Sequence, residues 1–184
     1  MNLSDLKIGD VGIVERPHTF WVNVLSGAIK LILEPSYENW GWHMFNVAWI
    51  DPVTGRMIQE AAGGVGARVV PLSTYAGSRV RFYRWLDTEP TEEGMRLFAD
   101  DVMGFPYDNL VYCWTIKYYL IHKASFGHLH IPRFKDDKLM CWEDCSLCAW
   151  YFQKPWDDDD PEADAYALIT HLINHAEYLG EVTI

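Results

Sequence analysis

The sequence predicts an α+β fold, and three observations lead there. Two β-prone runs, NVAWI (46–50) and MIQEA (57–61), flank DPVTGR, where Pro52 and Gly55 make a turn. RVRFYRW (79–85) alternates as a half-buried strand does. From Thr91 onward the pattern changes to helical periods. Strands therefore come first and helices last within a single domain spanning 1–184, which is the α+β order.

Taken in turn, LKIGDVGIVER reads as a short strand that the chain enters through a Gly9-Asp10 turn. The apolar segment 20–33 reads as a buried helix, and SYENWGW (36–42) as an aromatic loop. Gly63, Gly64 and Gly66 break the strand that follows the hairpin. TEEGMRLFADDVMG starts a helix at Thr91 with acids in its first turn, where the positive helix end favours them. Asp108 is an N-cap for NLVYCWTIKYYLIHK, and a helix over about 144–153 stops before Pro155. Asp160-Pro161 opens EADAYALITHLINHAEYL, a C-terminal helix over about 161–179 appended to the domain.

The composition is globular, 49% hydrophobic and 22% charged, with nine Trp in an aromatic share of 15%. A net charge of −11 argues against a sequence-independent grip on nucleic acid or anionic lipid, both of which need surplus cations. The apolar run 21–33 contains Asn23 and Lys30 and is too short to span a bilayer, so no transmembrane segment is expected. MNLSDLKIGDVGIV has an early acid and no long apolar block, so no signal peptide is expected. Four cysteines then read as thiols rather than disulfides, and a cytoplasmic location follows as the default. The run Asp157–Asp160 reads as a solvated helix cap, lacking the alternating ligands and Gly turn of a calcium loop.

CWEDCSLC (141–148) carries Cys141, Cys145 and Cys148 at C-x3-C-x2-C spacing. Three thiolates at that spacing can hold a four-iron cluster. Leu147 stands where radical enzymes of that type carry an aromatic residue, the Gly-rich strand they place downstream is missing, and 36 residues are too few for their barrel. Structural zinc needs a fourth ligand, and Cys113 falls in an apolar helix pattern. The expectation is therefore no metal and no cofactor.

Two readings of the cysteines stay open. In one, all three are small core residues. In the other, Cys145 lies in the first turn of a helix opening near Asp144, with Cys141, Cys148, Ala149 and Phe152 as its apolar flank. Helix-start amides there favour a thiolate and can receive an oxyanion. A thiolate nucleophile needs a base and an orienting group. Glu60 and Asn46 lie on the two arms of the hairpin, and His43 is the only histidine close to it.

The order of these pieces resembles the NlpC-like, circularly permuted papain-fold cysteine hydrolases, in the branch related to lecithin retinol acyltransferase. The likeness runs through IGDVGIV (8–14), NVAWIDPVTGRMIQEAAGGV (46–65), RVVPLSTYAGSRVRFYRW (68–85), FPYDN (105–109) and DCSLCAWYF (144–152). It implies a small antiparallel sheet or partial barrel packed against helices. Cys145 falls on the family nucleophile and Glu60 on the third, orienting position. The family histidine falls on Asn46, which cannot accept and return a proton near neutral pH. Either a bulge in GWHMFNV lets His43 serve as base, or the fold persists without the chemistry. The first alternative implies a thiol hydrolase or acyltransferase that cleaves an amide or ester in a peptide or lipid acyl substrate, without a cofactor. The second implies an inactive binding or structural module, such as a virion component.

Overall fold

The computed structural model describes residues 1–15, 41–86, 89–106, 145, 148 and 175–184. Six antiparallel strands form one sheet: β1 (Val11–Glu15), β2 (Gly41–Asp51), β3 (Gly55–Ala62), β4 (Gly66–Pro71), β5 (Arg79–Trp85) and β6 (Ala176–Thr183). Their spatial order is β4-β3-β2-β1-β5-β6, and the helix α1 (Glu92–Val102) packs on it. The α+β class is thus observed. The expected helices over 20–33 and 109–123 lie outside the described residues.

The β2–β3 hairpin forms where its turn chemistry predicts. Asp51 Oδ1 accepts from the amides of Val53 (2.9 Å) and Thr54 (2.8 Å) and from the Thr54 hydroxyl (2.9 Å). Gly55 then takes φ 82°, a conformation that favours glycine. Those amide and hydroxyl bonds hold the exposed Asp51 carboxyl below its ordinary pKa.

Alternation along the strands divides the buried side chains between two faces. One face carries Val14, Phe45, Val47, Ile58, Leu72, Val80 and Phe82. The other carries Val11, Ile13, Met44 and Trp85 with Cys145, and beside them Ala48, Ala61 and Ala67 with Cys148 and the inner side of α1. That helix begins as expected: Thr91 Oγ1 accepts from Gly94 N (3.1 Å), and Glu92 and Glu93 occupy the first turn. It buries Met95, Phe98, Ala99 and Val102, spaced as one helical stripe, and lays Arg96 over the Trp49 ring at 4.2 Å.

Two expectations need correction. Residues 176–179 are not the end of a helix: His175 is helical, but Ala176–Thr183 forms β6 and pairs along the whole of β5. The helical period of LINHAEYL yields to the hydrogen bonds and apolar contacts that β5 offers, and Leu179 and Val182 pack against the Phe82 cluster. The chain's last strand is therefore part of the sheet rather than an appendage. The aromatic loop expected over 36–42 is also corrected at its end, since Gly41 and Trp42 belong to β2, while 36–40 lie outside the described residues.

The segment leading into β1 is clamped by cations. Arg84 makes a two-pronged ion pair with the buried Asp10 (2.8 and 2.7 Å) and also donates to Asp5 O (2.8 Å). Arg56 donates to Leu6 O (2.6 Å), and its own pKa is lowered by burial against the pull of Asp10.

In the sheet's centre, Gly12 stands opposite Phe45. A Cβ on Gly12 would lie 2.2 Å from the Phe45 ring, which is fully buried between Tyr75 and Phe82. Gly12→Ala is expected to cost about 1–3 kcal/mol, the usual penalty for overpacking a filled core. The check is a lower urea midpoint with an unchanged slope. A variant as stable as the parent would mean that the ring has room to move.

Candidate functional site

The candidate residues of the hairpin fall into two buried polar groups, one on each face of the sheet. The first is built around Glu60, whose side chain is fully buried. Its Oε2 accepts from His43 Nε2 at 2.7 Å and from the Tyr75 hydroxyl. Its Oε1 accepts from Arg68 Nε at 2.8 Å, and a second Arg68 nitrogen lies 2.6 Å away. An ionised carboxylate only accepts, so His43 Nε2 carries the proton of that bond. His43 and Glu60 sit on β2 and β3, Arg68 stands opposite Glu60 on β4, and Tyr75 comes from the 3-10 turn Leu72–Tyr75. The Tyr75 ring stacks on His43 (centroids 5.6 Å apart) and on Phe45 (5.4 Å).

Burial alone pushes the Glu60 carboxyl up. The bond and charge of His43, with the bonds from Tyr75 and Arg68, outweigh that and hold it below its ordinary value. The stabilisation it supplies is therefore complete above the ordinary value of 4.5 and is lost as pH falls through the depressed one.

The second group is an amide pair. Asn46 and Gln59 stand opposite one another on β2 and β3, both fully buried, with Asn46 Nδ2 donating to Gln59 Oε1 at 3.3 Å. Among the described residues Asn46 Oδ1 has no hydrogen-bond partner. Val11, the partner of Asn46 across β1, packs in the same cluster as Cys145. The Asn46–Gln59 pair thus lies at the seam between the Cys145 and Cys148 clusters, on the face that both thiols cover.

Cys145 and Cys148 are both helical, as expected, and both are buried. Cys148 lies 3.6 Å from the Met95 sulfur, so it fills space against α1. Cys141 is outside the described residues.

The four sequence-derived candidates therefore separate two and two. His43 meets Glu60, while Asn46 shares a face with Cys145. The expected His43–Cys145 dyad does not assemble, and the reason is register. β1 and β2 pair without interruption at Val14↔His43, Ile13↔Met44, Gly12↔Phe45 and Val11↔Asn46. A bulge does occur in GWHMFNV, but it falls before His43, where Glu15 pairs with Gly41. It therefore leaves His43 and Asn46 three places apart on opposite faces. Proton transfer needs contact within about 3 Å, and here the sheet backbone stands between imidazole and thiol.

The residue that sequence reasoning missed is Gln59. It, rather than Glu60, stands across from the Asn46 position. Counting the hairpin arms from the Asp51–Gly55 turn suggests this only if the bulge between Val47 and Ile50 is included, because that bulge advances the register by one. Among the described residues no group of three His, Cys, Asp or Glu side chains could hold a metal ion, and no helix is long and apolar enough to cross a membrane. No family model matches the chain, and no curated protein matches it either.

Glu60→Gln removes the carboxylate on which Arg68 and His43 converge. We expect it to cost about 3 kcal/mol at pH 7, the scale of breaking a buried pair. The gap to the parent should narrow on acidification below pH 4.5, because the unfolded parent then takes up a proton that the folded carboxylate resists. Urea unfolding at pH 7 and pH 3.5 measures this; a gap independent of pH contradicts it.

Proposed function

We propose that the protein is a catalytically silent binding or structural module on the permuted papain-like fold. The single observation that carries this reading is the division of the polar groups between the two sheet faces. The thiol shares its face with two amides, Asn46 and Gln59, and neither is an acid or base near neutral pH. The imidazole that the sequence offers instead is bound to Glu60 on the other side. The antiparallel sheet, with a cysteine-bearing helical segment packed on one face, supports the fold assignment. The resemblance in motif order supports it as well.

The competing reading is a thiol hydrolase or acyltransferase acting on an amide or ester of the cell-wall peptide or lipid class. The helical Cys145 on the Asn46 face favours it, since this is where such a nucleophile would stand. It requires an imidazole on that face, and His43 lies on the other.

Alkylation kinetics separate the two. On the silent reading, iodoacetamide labels Cys145 in the folded chain at pH 7 only as fast as the chain opens. His43→Gln then leaves the labelling rate, corrected for stability, unchanged. Rapid stoichiometric labelling of folded protein, or acylation of Cys145 by an activated ester, refutes the proposal.

A gain-of-function substitution tests the same geometry from the other side. Asn46→His places an imidazole on the thiol's face, with Gln59 Oε1 positioned to accept its ring N–H as it now accepts from Asn46 Nδ2. Ionisation of Cys145 in the folded chain, read as ultraviolet thiolate absorbance against the same variant carrying Cys145→Ser, should then begin at lower pH than in the parent, as a thiol beside an imidazole does. A folded Asn46→His protein whose Cys145 ionises as in the parent would show that position 46 does not reach the thiol.

A further inference from the structure

We draw no further inference here: the strongest candidate, the groove of about 350 Å³ that Arg81, Tyr83, Ala176 and Tyr178 line beside the Cys145 cluster, has its one lining cation already bound to Glu181, and nothing in the structure shows what fills it.

Discussion

The period of two along β2 is the constraint on which the rest of the molecule depends. His43, Phe45 and Val47 point to one side of the sheet, and Met44, Asn46 and Ala48 to the other. The pairing with β1 runs unbroken from His43 to Asn46, so no local twist can exchange the two sets there. Everything chemical follows from this sorting. The carboxylate, guanidinium, phenol and imidazole collect on the Phe45 face, where they close the corner between β3, β4 and the 72–75 turn. The described thiols, Cys145 and Cys148, collect on the other face with two amides and a lining of small and apolar side chains.

The sheet's two outer strands show how the same backbone limits its own pairing. At β4, Ala67 exchanges hydrogen bonds with Phe105 (2.9 Å) and Gly104 (3.3 Å), and Pro71 ends the strand without an amide proton. At β6 the register slips between Phe82 and Tyr83, with Gly180 in a positive-φ conformation, and Glu177 and Glu181 add charge. Bulges, prolines and charges are the usual means by which an edge is made a poor template for another chain. Arg79 and Arg81 meet Glu181 across the β5–β6 pair, with Glu15 also on Arg79, so that charge is locally balanced.

What could be read from the sequence was what short-range chemistry decides. The hairpin follows from Asp51, Pro52 and Gly55, the start of α1 from Thr91 and its two glutamates, and β5 from its alternation. Long-range pairing was less accessible. AEYLGEVT carries a helical period up to Leu179, and only the presence of β5 makes it a strand; Gly180 was the one local hint. The site failed for a subtler reason. Glu60 is a charged residue at a hairpin end and attracts attention, whereas Gln59 is neutral. The bulge at Ala48 and Trp49 shifts the partner of Asn46 by one residue, and one residue on a strand is the whole distance between the two faces.

Why polar groups are kept on both faces then has a physical answer in register itself. An amide acceptor buried without a partner, as Asn46 Oδ1 is among the described residues, costs about 1–3 kcal/mol relative to a satisfied one. A buried carboxylate is tolerated only because three side chains converge on it. Slide β3 by one residue against β2 and both arrangements fail together. Glu60 would turn toward the apolar lining around Cys145 and Cys148, and Gln59 would face Phe45 and Ile58's neighbours with no amide opposite. Such a slip strands a charge in an apolar cluster, a far larger penalty than the orphaned acceptor imposes. The two polar groups therefore act as a pair of keys, one on each face, that admit a single register. That role needs no proton transfer: the two amides hold register on the face that Cys145 shares, and the described imidazole within the strands holds it on the far side through its carboxylate.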